Sequence, residues 1–256
     1  MPPPNIRDGG DLRRLRDLLS CPTCHGGLDW REDRVACNSC GKTYAVVDGV
    51  PKLVSDEAEA DAFKIQQVEA HERTRDARFE VCRPGGTPAF YGWLMQEKYR
   101  RSVLGLGRVV EGATVVTVCA GSGMDAEFLA RAGAKVIATD IFPGAVSRIK
   151  RRADNTRLPI LPIVADAERL PIATACIDLS YVHDGLHHLE DPLLGLHEMA
   201  RVSMCGLSIT EPAEATVTRI AVQLGLAVEI EESGNRVGRL NLATLVRALA
   251  DHGFRP

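Results

Sequence analysis

Three groups of residues in this 256-residue chain have types and spacings that can do chemistry. The first is Cys21-Pro-Thr-Cys24 and Cys37-Asn-Ser-Cys40, two Cys-x-x-Cys pairs with 12 residues between them. Gly26 and Gly41 stand close behind, so each pair reads as a tight turn. Such turns aim two thiolates at one point and leave backbone N–H groups free for the sulfurs. Two facing turns make a tetrahedral sulfur cage, the geometry of structural Zn²⁺. No ligand position is left open, so this metal is expected to be structural. A module of ~35 residues has little core, and metal binding would supply much of its folding energy. Paired disulfides and a redox motif are the alternatives; a single redox motif needs no second pair.

The second group lies in VVTVCAGSGMDAEFL, Val115 to Leu129. A β-branched run ends in a small, glycine-containing turn and a helical pattern follows, as in a nucleotide-binding loop. Residues 121–126 loosely fit the dinucleotide fingerprint G-x-G-x-x-A, and Asp140 stands where a ribose-binding acid belongs. S-adenosylmethionine carries the same ribose diol and needs the same loop and acid. A pyrophosphate favours an electropositive helix N-terminus. Asp125 and Glu127 in the first helical turn would repel it, whereas the positively charged methionine end of S-adenosylmethionine tolerates them.

The third group is YVHDGLHHLEDP, which places His183, Asp184, His187 and His188 within six residues. One imidazole could accept a proton near neutral pH. Asp184, His187 and His188 could hold a cation, with histidine favouring a transition metal over Mg²⁺. The bland alternative is that the imidazoles pack and cap a helix start. Glu211, in ITEP, is a further candidate base or a helix cap.

Alternating elements are required to position these groups. A flexible lead and a short helix are expected over residues 1–19, strand-like pieces with the four cysteines over 20–54, and helices over 55–108. From 109 to 256, strands alternate with helices of 10 to 15 residues, the pattern of a parallel, doubly wound α/β sheet. Five such strands are predicted, and a last helix, NLATLVRALADHG, is followed only by FRP. In open sheets of this kind the ligand lies beyond the carboxyl ends of the strands.

The ordered motifs from about 110 to 256 resemble class I methyltransferases: the glycine loop, Asp140, then Asp166 with a Leu-Pro loop and an Ile-Asp opening the fourth strand. The resemblance implies a Rossmann-like sheet that binds S-adenosylmethionine. It implies that Gly121 and Gly123 approach the amino acid part, that Asp140 binds the ribose, and that Asp166 with Ala167 faces the adenine. Cys119, Ala120, Ile141 and His183 complete the expected cofactor set; Asp184, His187 and His188 are the candidate catalytic residues. Asp184, His187 and His188 also resemble the Glu-x-x-Glu-His of some ubiquinone-pathway O-methyltransferases, with histidine for the middle glutamate. Two positions depart from the family. Thr117 stands where an acid is usual, and Cys119, where glycine is usual, is expected to avoid positive φ. The segment CPTCHGGLDW…VACNSCGKTYAVVDGVPKLV resembles Trm112-like zinc ribbons. In the family a helix before the first strand often covers the cofactor, so Phe90, Tyr91 and Trp93 are candidates for a lid or for packing onto the sheet.

Composition narrows the acceptor. The formal charge is −3, and residues 1–60 carry 8 Lys/Arg against 10 Asp/Glu, so neither the chain nor its ribbon half is a basic clamp. The short run RIKRR, 148–152, reads as a solvated helix face. No stretch approaches the roughly 18–20 apolar residues of a membrane span. The N-terminus lacks a signal-peptide core, so a cytoplasmic location is expected, and the eight cysteines read as ligands or buried thiols. The expected activity is transfer of a methyl group to an O or N nucleophile of a small molecule. An RNA methyltransferase and a non-catalytic ribbon protein are the alternatives. The family's C-terminal strands are missing here, which predicts an apolar fifth-strand edge covered by a homodimer partner or completed by further chain.

Overall fold

In the computed structural model, residues 9–73, 88–105, 110–212, 216–225, 230 and 240–255 are described. Helix α1 (Gly9–Asp17) leads into four short strands, β1 (Leu28–Trp30), β2 (Arg34–Cys37), β3 (Thr43–Val47) and β4 (Val50–Leu53). Helices α2 (Asp56–Glu59), α3 (Ala62–Arg73) and α4 (Ala89–Gly105) follow. The alternating part runs β5 (Thr114–Val118), α5 (Met124–Arg131), β6 (Lys135–Asp140), α6 (Pro143–Thr156), β7 (Ile160–Ala165), β8 (Ile177–His183), α7 (Pro192–Val202) and β9 (Ser203–Thr210). Helices α8 (Thr216–Gln223) and α9 (Leu242–Ala250) complete the described elements.

Among the described residues the strands join in the order β1-β2-β3-β4-β7-β6-β5-β8-β9. The ladders from β4 to β9 are parallel, and those from β1 to β4 are antiparallel. This is the doubly wound α/β sheet expected from the alternation, with a meander added at one edge. Successive strand residues face opposite sides of the sheet. Val115, Val136 and Val164 therefore enter one buried layer with Leu129, Ile149 and Ala153 of α5 and α6. Val116, Ile137 and Ile163 enter the other, with Leu15 of α1 and Met199 of α7. Every residue of β7 is buried, as a strand covered on both faces must be.

The N-terminal segment is continuous with this architecture. β4 pairs in parallel with β7, Lys52 against Val164 and Leu53 against Ala165, so the ladder crosses the expected junction near residue 55. Pro162, with no N–H to give, lies before that stretch. Helix α1 packs over β6 and β7, and Asp11 pairs with Lys135 at 3.0 Å. At the other edge β9 has a neighbour only on its β8 side among the described residues. No helix among the described residues is long and apolar enough to cross a membrane.

Candidate cofactor and acceptor site

The glycine loop joins β5 to α5 at the carboxyl edge of the sheet. Gly121 (φ +54°) and Gly123 (φ +81°) both occupy the left-handed region, which glycine reaches without strain. A Cβ built on Gly121 would meet nothing within 4 Å, so the loop presents bare backbone to open space. A Cβ on Gly123 would stand 3.1 Å from Ile149 Cγ1, so this glycine lets α6 approach. Asp140 ends β6 and spans two loops: Oδ2 accepts from Gly121 N at 2.9 Å and Oδ1 from Phe142 N at 2.9 Å. The acid therefore sets the loop as well as facing it, and Ile141 lies in the turn between its two hydrogen bonds.

Cys119 does not avoid positive φ, contrary to expectation; it lies at φ 52°. Room for its side chain comes from Gly185, where a Cβ would stand 2.6 Å from the Cβ of Cys119. The turn is held by Ala120 N donating to Thr139 O at 3.0 Å and Gly123 N donating to Ala120 O at 2.8 Å. The acid missing at Thr117 has a neighbour in its place. Asp125, in the first turn of α5, is buried beneath the loop. Burial pushes its carboxyl up to about 7; the Thr117 hydroxyl and the Ala126 amide oppose the rise, Asp140 adds to it and Arg152 opposes it. Glu127 is paired with Arg131 and Arg152, and Arg152 Nε also donates to Ser122 O at 2.9 Å. The repulsion assigned to Asp125 and Glu127 from the sequence is thus largely neutralised, and the choice of cofactor rests on the other features.

Asp166 follows β7 and is buried. Its Oδ1 accepts from Glu168 N at 3.0 Å, and its Oδ2 and Glu168 Oε2 hold Lys64 Nζ of α3, at 2.8 and 2.5 Å. Ala167 lies between the two acids and is also buried. Lys64 had no signal in the sequence; it is 102 residues from Asp166.

On the far side of β5, His183 ends β8 and stacks on Tyr99 of α4 with centroids 4.6 Å apart; Tyr99 stacks on Phe128 at 4.7 Å. Burial holds the His183 imidazole down at about 4, with Asp184 opposing and Lys98 adding to the shift. Among the described residues neither ring nitrogen has a hydrogen bond, and Nε2 lies 3.4 Å from Asp184 Oδ2. Asp184 (φ 49°) turns its carboxylate to Lys98 Nζ at 2.7 Å. His187 Nδ1 lies 2.7 Å from Glu211 Oε2, and both side chains are buried. Glu211 Oε1 accepts from Gly185 N at 2.6 Å and Leu186 N at 2.7 Å. Glu211 is therefore committed on both oxygens and acts on the 185–187 turn. Its contacts among the described residues leave it no free oxygen to act as a base by itself. His188 tilts against His187 at 4.2 Å. Asp184, His187 and His188 do not gather as a cation site: among the described residues, only Cys21, Cys24, Cys37 and Cys40 cluster three or more potential ligands.

These four sulfurs lie within 4.8 Å of one another. Cys21–Cys40 is 3.7 Å and Cys24–Cys37 is 3.5 Å, against an edge of ~3.8 Å for a tetrahedron with Zn–S bonds of ~2.3 Å. Backbone amides point at the sulfurs: Thr23 N at Cys21, and Ser39 N and Cys40 N at Cys37, each at 3.4 Å. Donor set, spacing and amide hydrogen bonds all fit a tetrahedral thiolate site.

Phe90 and Trp93 pair with each other 5.9 Å apart and are 71% and 58% exposed, so neither is packed onto the sheet. The side chain of Tyr91 lies outside the described residues. Helix α4 meets the site through Lys98, Tyr99 and Ser102, whose Oγ lies 3.0 Å from Thr210 Oγ1.

The family described as methyltransferase domain matches residues 116–206. The demethylmenaquinone methyltransferase of Renibacterium salmoninarum is 31% identical over 163 residues, covering 60% of this chain and 67% of that protein. That of Paenarthrobacter aurescens is 32% identical over 163 residues, covering 60% of this chain and 63% of that protein. The chain thus spans about two thirds of the length of these relatives. In fold, the chain is similar to magnesium protoporphyrin IX methyltransferase from Synechocystis PCC 6803, solved with bound SAH. The TM-score is 0.60 at 18% identity, covering 76% of this chain and 90% of that one. By these matches the chain belongs to the S-adenosylmethionine-dependent methyltransferases, on a mostly parallel sheet with the glycine loop after β5.

Proposed function

We propose that the chain transfers a methyl group from S-adenosylmethionine to an O or N nucleophile of a small molecule. The relatives named demethylmenaquinone methyltransferase make that quinone-derived acceptor the first to test. The observation that carries the reading is the Asp140–Gly121 contact, which shapes an open backbone cradle beside a carboxylate able to accept from a ribose diol. The bound cofactor supplies an electrophilic methyl group on a sulfonium whose leaving group departs neutral.

The chain's own residues do the rest. Cys119, Ala120, Gly121 and Gly123 offer backbone to the methionine end, and Ile141 and Asp140 flank the ribose. Asp166 and the Ala167 amide face the adenine. His183, neutral and without a hydrogen bond among the described residues, lies at the cofactor's reactive end. His187 accepts the nucleophile's proton at Nε2, because the Nδ1–H donates to Glu211 and fixes the tautomer. His188 packs beside it, and Asp184 with Lys98 ties α4 over the acceptor. With a strong electrophile, in-line positioning and exclusion of water account for much of the rate. The four cysteines hold one Zn²⁺ in a structural role.

Purified protein, labelled S-adenosylmethionine, a metabolite extract containing quinols, and total RNA test this together. Label is expected in the small-molecule fraction. Label found in RNA alone would overturn the acceptor class, and calorimetry showing no cofactor binding would overturn the reading entirely.

A further inference from the structure

The segment from Ala165 to Thr174 carries Asp166 and Ala167, the proposed adenine side of the site. It is bordered by N-terminal residues on several sides. Leu53 pairs with Ala165 immediately before Asp166. Ser20 N donates to Pro171 O at 2.9 Å and Ala173 N to Leu18 O at 3.0 Å, and Leu19 bridges to Ile172. Among these contacts, one reaches into the cysteine knuckle itself. Arg169 Nη2 donates to Thr23 O at 2.9 Å. Thr23 is the residue between Pro22 and Cys24. Its amide points at Cys21 Sγ, and its hydroxyl lies 3.2 Å from the Tyr44 hydroxyl, which is itself 3.0 Å from Cys21 Sγ. The backbone of Arg169 closes the other end: Arg169 N donates to Asp166 O at 3.1 Å. One residue thus ties the turn that carries Asp166 to the carbonyl of a metal-binding turn more than 140 positions away.

We propose that Arg169 is a positioning residue through which the four-cysteine knuckle sets the geometry of the Asp166–Ala167 turn and hence the affinity for S-adenosylmethionine. The proposal rests on the cofactor placement given above. The knuckle is rigid when its sulfurs share a metal, because four side chains then meet at one centre. Without that centre the Thr23 carbonyl has no fixed position, and the guanidinium has no fixed partner. The hydrogen bond joins a cation to a neutral carbonyl, a type stronger than the average neutral pair. Glu57, at 3.8 Å from Arg169 Nη1 and well exposed, adds little to this hold. The opposite side of the segment is braced separately, by Glu198 on Leu170 N and by Arg201 on Leu170 O and Ile172 O. Loss of Arg169 should therefore loosen the turn without unfolding the strand–helix unit around it.

The test uses the full chain loaded with zinc, with S-adenosylhomocysteine as calorimetric ligand. Arg169→Ala is expected to keep one equivalent of zinc and bind about tenfold more weakly, within the usual range of coupling between sites. Arg169→Lys, which retains a donor, should recover part of the loss. Binding by Arg169→Ala within twofold of the wild type would overturn the proposal while leaving the methyltransferase reading intact. A wild-type chain that bound no ligand would overturn both. Coupling is reciprocal, so the wild type alone gives a second reading. Saturating S-adenosylhomocysteine should raise zinc affinity, measured by competition with a chelator, by the factor by which zinc raises S-adenosylhomocysteine affinity, about tenfold if Arg169 carries the coupling. Hydrogen exchange in 167–172 should quicken on zinc removal while β5 and β6 keep their protection. Unchanged zinc affinity and unchanged exchange would refute the coupling even if Arg169→Ala failed to fold.

Discussion

Among the described residues the sheet is closed on one side of β5 and open on the other. β6 and β7 are followed by β4 and the ribbon, with α1 over one face, and every residue of β7 is buried. β8 and β9 end in an edge where Met204 is 52% exposed and Cys205 is exposed. The loops differ in the same way. On the closed side, carboxylates take backbone amides and one lysine: half-buried Asp140 on Gly121 and Phe142, buried Asp166 and Glu168 on Lys64. On the open side one buried carboxylate, Glu211, takes the Gly185 and Leu186 amides, and the remaining contacts are a ring stack and a half-exposed ion pair, Tyr99 on His183 and Lys98 on Asp184. In the reading proposed above, the cofactor lies on the closed side and the acceptor on the open one.

The comparison can be broken most forcefully at the knuckle. Cys37→Ser should lose the metal and about 4 kcal/mol or more of stability, because metal binding and folding of such a module are one event. A thermal scan with metal analysis checks this; an unchanged melting temperature with zinc lost would mean the closed half does not need a metal, and one zinc retained would mean Cys37 is not required to hold it. Next comes the open half. His187→Gln should lower kcat by about 10²–10³-fold, the usual contribution of a proton acceptor, with cofactor affinity unchanged. Glu211→Gln should lower it less and displace the pH profile, since the histidine would keep its place but lose its fixed tautomer. Full activity in His187→Gln would move the base elsewhere. On the closed half, Asp140→Asn should weaken cofactor binding by about 30-fold, or roughly 2 kcal/mol, because the Gly121 and Phe142 amides lose a charged acceptor. Calorimetry reads this directly.

Titration separates the halves by sign. Asp125, raised to about 7, supports the folded state below its ordinary value near 4 and withdraws that support as pH rises through 7. His183, lowered to about 4, gives full support above its ordinary 6.5 and loses it as pH falls through 4. Asp125→Asn should therefore gain on the order of 2 kcal/mol at pH 8 and nothing near pH 4. Urea titrations at the two pH values test it, and an equal gain at both would show that Asp125 does not titrate in this window. The smallest effect is local: Cys119→Gly should relieve about 1 kcal/mol of backbone strain at φ 52°. A measured loss of stability would show that the packing of the half-buried thiol outweighs the strain.

The parts legible in the sequence were those with short-range patterns. The β-branched runs of β5 to β8, the Cys-x-x-Cys turns and the glycine loop each declare themselves within a dozen residues. The doubly wound sheet follows from their alternation. Long-range partners left no such trace. Lys64 meets Asp166, Glu211 meets His187 and β4 meets β7 only because the folded chain brings them together. β4 is four residues long and contains Pro51, so its pattern alone does not announce a sheet strand. Cys119 was misjudged for a related reason: the space for its side chain is made by Gly185, 66 positions later in the chain. Asp125 was visible as an acid, but only burial reveals that it is not a fully charged one.

The pairing of β4 with β7 has a consequence for how the chain is made. Leu53 leaves the ribosome about 110 residues before its partner Ala165. At the usual pace of synthesis that is a wait of roughly 5–20 seconds. During that interval one edge of β4 has β3 beside it and the other has nothing, a condition that invites pairing with other chains. The nascent ribbon needs a means of holding its shape before the rest of the sheet exists, and zinc captured by the four cysteines would provide it. Metal supply during translation would then govern how much enzyme is obtained, apart from how well each finished molecule works.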